Sequence, residues 1–409
     1  MRMIGVTVTF LGLIQTVQAA PYRQTLICAE RNINLANWSV TGHDLFGASG
    51  PAWSVRKERL AGGKQDGVDI ITIDNGKLEM VIVPTRGMGI WSVTLGDVRL
   101  GWDSPVKEIV HPRYVNLDSR GGLGWLDGFG EWLCRCGLES NGLPGLDTII
   151  DNTGAESTVN LTLHGKIAYL PAQEVELIVD DKPPHRITLR GRVAERMMFG
   201  PNLELKTSIS TRPGTNTFRI ADEIVNHAAG PAEFQLLYHT NFGPPLLEDG
   251  ATFVGPVQSI APRDARAAEG GLDAFARYQG PTQGYVEQVY FMKLYGDERN
   301  RTRIMLQNKE QDRAVSMGFN LDALPHMTIW KNTSATADGY VTGLEPGTNY
   351  PNARSIERKA GRVPKLDGGA SFHAAIDVAI HVGAKRVSAA AQQIEAIRND
   401  RATKIVEQP

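Results

Sequence analysis

The chain has 409 residues, 42% apolar and 22% charged, with a formal net charge of −2. That length can bury a large core, as one big β domain or two ordinary ones, and the composition is that of a globular rather than a disordered protein. The small net charge offers no basic face for a nucleic acid.

The N-terminus reads as an export signal. Met1-Arg2 gives a minimal positive start, Ile4 to Ile14 is mostly apolar, and Val17-Gln18-Ala19 offers small residues at the −3 and −1 positions of a cleavage site. The run is too short for a membrane span. Cleavage after Ala19 would send the protein to the periplasm or outside the cell; the alternative is an N-terminal strand of a cytoplasmic protein. Residues 20–53 then form an N-terminal extension, 54–385 the main domain and 386–409 a helical tail. The three cysteines, Cys28, Cys134 and Cys136, do not make a disulfide framework or a zinc spacing. Cys134 and Cys136 are too close to bridge each other easily, which leaves Cys28 as a partner for either in an oxidising compartment.

From Ser54 the pattern is one of strands. Asp69–Ile73 and Leu78–Val83 flank Asn75-Gly76, the strongest short hairpin signal. Pro84 stops the second strand, and Arg86 sits in a glycine-rich turn where it serves either structure or function. Trp102 to Asp147 is rich in Gly, Trp and Asp with little alternation, as functional loops often are. Trp102, Trp125, Phe129 and Trp132 there form either a stacking floor for a ligand or a satellite core. Gly121 to Gly124 lacks the strand, helix and Lys-Ser/Thr context of a phosphate loop.

Val159–His164 alternates, with Asn160, Thr162 and His164 on the polar face. Phe234 to Asn241 alternates likewise, placing His239 and Asn241 together before Gly243-Pro244-Pro245 ends the strand. An irregular patch, Ala261 to Gln283, precedes strands at Glu287–Leu294, Arg303–Gln307, Ala314–Phe319 and Met327–Trp330. Near the end, Tyr340–Leu344 leads into Glu345-Pro346-Gly347-Thr348. The proline stiffens the backbone and pushes Glu345 toward extended geometry, and Gly347 lets the chain turn away. Phe372 to Val382 is an alternating strand, and Val387 to Arg401 reads as a surface helix. Strand follows strand without alternating helices, so the fold class is all-β, a large antiparallel sandwich.

Two histidines and a glutamate at strand ends can converge on one mouth. Histidine gives and takes a proton near neutral pH, and a glutamate can act as the complementary base. Such a set, without metal ligands at zinc spacing, suits a reaction that is only proton movement, such as sugar ring opening; no cofactor and no metal are expected, and a metal held by residues from separate loops stays open.

The order Arg135, Leu163-His164-Gly165, Tyr238-His239, Glu345 resembles the aldose 1-epimerase (galactose mutarotase-like) superfamily, and especially a bacterial branch with a Gly-Leu-Glu-Pro-Gly-Thr motif. The resemblance runs from about Lys57 to Val382. It implies a galactose mutarotase-like supersandwich that interconverts sugar anomers. Glu345 would be the general base, His239 the general acid and His164 an orienting group. Arg135, with Arg86 as its rival, would contact sugar hydroxyls. Asn241, Trp330 and Lys331 would line the same mouth, and Asp264 is the nearest match to the family's substrate-binding aspartate. Because this fold also carries lyases and binding modules, β-elimination on an oxidised sugar or uronide, and non-catalytic carbohydrate binding, stay open as alternatives. The expected partner is a small carbohydrate; nothing in the sequence sets an oligomeric state.

Overall fold

The computed structural model describes residues 20–408 apart from Leu272. The expected export signal over residues 1–19 lies outside the described residues. Two large sheets make up the protein, one of ten strands and one of thirteen. Between them lies a continuous core of aliphatic and aromatic side chains from both inner faces, among them Leu205, Ile220, Ile376, Leu236 and Ile329. Nearly every strand pairing is antiparallel. The alternation in the sequence accounts for this: each strand sends every second apolar side chain inward, and burial of that face holds the sheets together.

The Asn75-Gly76 hairpin forms as expected, joining Asp69–Asp74 to Glu79–Val83. Residues 20–53 are woven into both sheets. Tyr22–Cys28 pairs with Glu174–Val179 in the ten-stranded sheet, and Trp38–Thr41 pairs with Ser54–Arg59 in the other. At the other end, helix Ala384–Arg398 buries Val387, Ala390 and Ile394 against Met305 and Ala314. Lys404–Ile405 then adds a short parallel strand beside Ser259–Ile260. No helix of the described residues is long and apolar enough to cross a membrane.

The cysteines do not pair. Cys28, Cys134 and Cys136 are all free and buried. Cys28 lies in the ten-stranded sheet beside the Arg31 guanidinium, 3.4 Å away, whereas Cys134 and Cys136 belong to the thirteen-stranded sheet.

Three segments depart from the expectations of the sequence. The stretch from Trp102 to Asp147 contains a fully buried strand, Leu133–Leu138, between Gly89–Leu95 and Gln235–Phe242. Its polar and sulfur side chains concealed the alternation. The strand before His164 ends at Leu161, so His164 is not on a strand face but in a turn with φ of 57°. The strand Val341–Gly347 does not stop at the proline; it runs through Pro346 with every residue buried.

Five adjacent strands of the thirteen-stranded sheet carry a second layer of packing: Gln288–Leu294, His326–Asn332, Val341–Gly347, Gln235–Phe242 and Leu133–Leu138, in that spatial order. Their inner faces carry Leu236, Tyr238, Phe242, Ile329 and Leu344 into the core. Their outer faces carry Cys134, Cys136, Leu237 and Val341, which pack with Trp102, Trp125 and Phe129 from the overlying loop. A second apolar layer thus covers one face of the sheet.

Arg135 belongs to the inner face. Its guanidinium crosses the sandwich to Asp222 on Thr217–Asn226, at 2.5 and 3.0 Å, and also donates to Thr207 Oγ1 and Met88 O. Both ionic side chains are essentially unexposed. Such a pair is costly to break from one side, because the remaining charge is left buried and unpaired. Arg135→Ala and Asp222→Ala are each expected to lower unfolding free energy by about 3–5 kcal/mol in denaturant titrations. Sugar affinity of the folded fraction is expected to stay unchanged, and a selective loss of affinity would place Arg135 at the ligand instead.

Candidate active site

Register brings the two key side chains together. Thr240 pairs with Leu344, Asn241 with Gly343 and Leu237 with Gly347, which sets His239 beside Glu345 on the outer face. The regular ladder lapses there, where Pro346 has no N–H to give. His239 Nε2 lies 3.3 Å from Glu345 Oε1. On the other flank Glu345 pairs with Thr328 and Gly343 with Trp330, so these four also share that face. Gly343 leaves the space the carboxyl occupies: a Cβ there would stand 2.3 Å from Glu345 Oε1.

His164 arrives from a different direction. The Thr162–Gly165 turn docks on the end of Leu133–Leu138 through Gly137 N to His164 O and Lys166 N to Gly137 O. Gly165 allows this approach, since a Cβ on it would meet Ser140 O at 2.1 Å. The His164 and His239 rings are 5.2 Å apart. Trp125 packs edge-on to His164 at 4.8 Å, and Phe129 and Trp330 lie 5.2 and 5.6 Å from His239.

Hydrogen bonds fix both tautomers. His164 Nδ1 is 2.8 Å from the carbonyl of Asn141, which can only accept, so Nδ1 carries the proton and Nε2 faces the cleft as an acceptor. Asn241 donates its amide to Glu131 O at 3.0 Å and His239 O at 3.3 Å, which turns its Oδ1 toward His239 Nδ1 at 2.8 Å. His239 therefore also carries its proton on Nδ1 and presents Nε2 to Glu345.

Burial controls the charges. Glu345 is 1% exposed, and Oε1 has no hydrogen-bond donor. Desolvation, with a smaller contribution from Glu287, pushes its carboxyl well above the usual range. Burial, reinforced by His164, pulls His239 well below the ordinary imidazole value against the favourable Asn241 contact. His164 is lowered to about 4, again chiefly by burial. Both imidazoles are therefore uncharged at neutral pH, and the same burial biases the Glu345 carboxyl toward its protonated form.

The cleft above these groups has a volume of about 280 Å³, at the small end for ligand sites. His164, His239, Glu345 and Trp330 line it, as do Trp125 and Phe129 of the expected aromatic floor. Trp102 lies beneath that floor and Trp132 in the main core. A wider hollow of about 500 Å³ on the outer face of the ten-stranded sheet holds none of these groups, and several of its charges form ion pairs, among them Arg192–Glu174 and Lys206–Glu223.

The remaining expected contact residues do not reach the cleft. Arg135 points into the core, toward Asp222. Arg86 is buried against Glu131, donates to Val110 O and Gly128 O at 2.8 and 2.9 Å and stacks on Tyr169, so it clamps the loop that carries Phe129. Asn241 is fully buried behind His239. Lys331, next to Trp330, points to the opposite face. Its ammonium donates to Ala274 O and Arg277 O and lies over Tyr278, and burial lowers it to about 8. Asp264 caps the turn Ala265–Ala268 and bonds to Arg263.

Arg263, Glu287 and Thr328 line the cleft and were missed. Arg263 pairs with Glu287 at 2.9 Å, and Glu287 accepts from Trp330 Nε1 at 2.7 Å. Thr328 was the one legible in principle, being two residues from Trp330 on a strand and hence on its face. Arg263 and Glu287 carry no local signal, since only sheet pairing brings them beside Trp330. Among the described residues no cluster of three or more His, Cys, Asp or Glu side chains is placed to hold a metal ion.

The fold is that of the galactose mutarotase-like proteins. A galactose mutarotase-like protein from Clostridium acetobutylicum superposes with a TM-score of 0.55 at 13% identity, over 80% of this chain and 98% of that one. A protein of Escherichia coli K12 provisionally described as an aldose 1-epimerase gives 0.52 at 14% identity, over 77% and 100%. The chain belongs to the family described as a domain of unknown function, DUF4432, which matches residues 65–380. A much nearer structure is that of a Klebsiella pneumoniae protein, also provisionally described as an aldose 1-epimerase. Its TM-score is 0.89 at 38% identity, covering 95% of this chain and 99% of that one. No curated protein matches the chain.

A carboxyl held protonated in the fold costs stability once the unfolded chain ionises, above about 4.5. Glu345→Gln, which mimics the neutral acid, is therefore expected to be more stable than wild type at pH 8. The gap should close as pH falls toward 4.5. The depressed His239 acts oppositely, costing stability below 6.5, but it is common to both proteins. Thermal unfolding across that range reads the difference; a gap that widens toward acid would contradict a raised Glu345.

Proposed function

We propose that the protein is a carbohydrate isomerase of the aldose 1-epimerase type, interconverting sugar anomers by proton transfer through Glu345 and His239. The observation that carries this reading is the buried carboxyl–imidazole contact at 3.3 Å on the floor of a sugar-sized cleft. The Klebsiella relative's provisional description is consistent with it.

Glu345, whose burial favours the acid form, passes its proton from Oε1 to His239 Nε2, which yields a carboxylate and an imidazolium, the base and acid that ring opening needs. Glu345 takes the proton of the anomeric hydroxyl as the C–O bond to the ring oxygen breaks, and His239 delivers its proton to that oxygen. The product is the open-chain aldehyde. Rotation about its first C–C bond and the reverse transfers close the ring on the other face, with every proton returned. A hydroxyl adjacent to the reacting centre donates to His164 Nε2. Trp125, Phe129 and Trp330 exclude water and meet the C–H faces of the sugar. Asn241 acts through His239 by holding its tautomer.

The test is anomer exchange followed by magnetisation-transfer NMR across a panel of aldoses. Wild type is expected to exceed the buffer rate on at least one sugar, with Glu345→Gln and His239→Ala each lowering kcat about 10²–10⁴-fold. Wild-type exchange no faster than buffer would sink the proposal, and an absorbing unsaturated product from an oxidised sugar would point to elimination. Asn241→Leu is expected to lower kcat more than it raises KM, and to abolish the single-tautomer 15N pattern of His239. A KM effect alone would make Asn241 a binding residue.

A further inference from the structure

We propose that the preferred substrate is a deoxygenated aldose, in the simplest case a 6-deoxyaldohexose, an inference that rests on the anomer-exchange reading. The polar groups able to receive a sugar are gathered in one place. Glu345 Oε1 and Thr328 Oγ1 are buried, lack partners and belong to register-paired residues on neighbouring strands. His239 stands beside Glu345, and His164 is one ring away. Together these groups serve an anomeric hydroxyl, a ring oxygen and one neighbouring hydroxyl.

Most of the remaining lining cannot hydrogen-bond. Leu123, Leu126, Leu143, Leu163 and Val289 supply aliphatic walls around the aromatic floor. Arg263 and Glu287 spend part of their hydrogen-bonding capacity on each other, Asp264 and Trp330, and Trp125 Nε1 is a further buried donor without a partner, so the polar groups form a minority of the lining. An aromatic face can take the C–H face of a pyranose with or without its exocyclic oxygen, and so does not choose between the two. Aliphatic walls do: a hydroxyl pressed on them loses its water partners without replacement, whereas a methyl gains from burial. Because the reaction needs its free anomeric hydroxyl at Glu345, the apolar edge must lie elsewhere on the sugar. Removing the oxygen of the exocyclic carbon leaves in place both groups that react, the anomeric hydroxyl and the ring oxygen, and the neighbouring hydroxyl assigned to His164.

The test compares sugar pairs that differ only in that oxygen: D-fucose with D-galactose, L-fucose with L-galactose, L-rhamnose with L-mannose, and 6-deoxy-D-glucose with D-glucose. In the pair used fastest, kcat/KM is expected to favour the deoxy sugar by about 10- to 100-fold. Leu126 and Leu143 are nearly half exposed, at 46% and 43%, so Leu126→Asn and Leu143→Asn should fold normally and shrink that ratio. Equal use, or preference for the fully hydroxylated member, overturns the inference. If wild type exchanges none of the eight sugars, the anomer-exchange reading fails. The substrate class is then judged by calorimetric binding of the same pairs to Glu345→Gln. Tighter binding of a deoxy sugar than of its parent supports the class, and equal, reversed or absent binding overturns it.

Discussion

The site depends on one register. By pairing Leu237 with Gly347 and Asn241 with Gly343, the sheet fixes a carboxyl and an imidazole side by side beneath an aromatic cover, with the carboxyl out of water. Desolvation penalises the charged form of each, raising the carboxyl and lowering the imidazole. They stand 3.3 Å apart, close enough for the protonation of one to depend on that of the other. A one-residue slip of either strand would send Glu345 or His239 into the core and destroy the pair.

Much of the surrounding structure holds that arrangement still. Gly343 vacates the volume of the carboxyl, and Asn241 selects the histidine tautomer. Glu131 links two layers: its carbonyl orients Asn241, and its carboxylate binds Arg86, which in turn grips the carbonyls of Val110 and Gly128. The loop bearing Trp125 and Phe129 is thereby tied to the strand that bears His239. Deeper still, Arg135 and Asp222 join the two sheets across the core. These charged residues pack behind His239 and Glu345, and partners of this kind hold neighbouring side chains within tenths of an ångström of one geometry.

The sequence made the fold class legible because alternation survives wherever a strand has one buried face, as in Phe372 to Val382. It failed at Leu133–Leu138, which is buried on both faces and whose arginine and cysteines break the apolar alternation, so the strand was hidden inside an apparent loop. The catalytic candidates were legible as residue types at element ends, yet for partly mistaken local reasons. His164 sits on a left-handed turn rather than a polar strand face, and Pro346 continues its strand rather than ending it. Arginines misled most. The motif order singles out Arg135, and a glycine-rich turn singles out Arg86, as ligand contacts, and only the paired acids Glu131 and Asp222, distant in sequence, reveal their structural use. Arg263 and Glu287 were invisible for the converse reason, as their place beside Trp330 is a product of strand order alone.

The most direct measurement is a crystal structure of the Glu345→Gln protein with a bound aldose. The account predicts the anomeric hydroxyl within hydrogen-bond distance of residue 345, the ring oxygen facing His239 Nε2, and a neighbouring hydroxyl on His164 Nε2. A sugar seated elsewhere, or one whose anomeric carbon points out of the cleft, would contradict it.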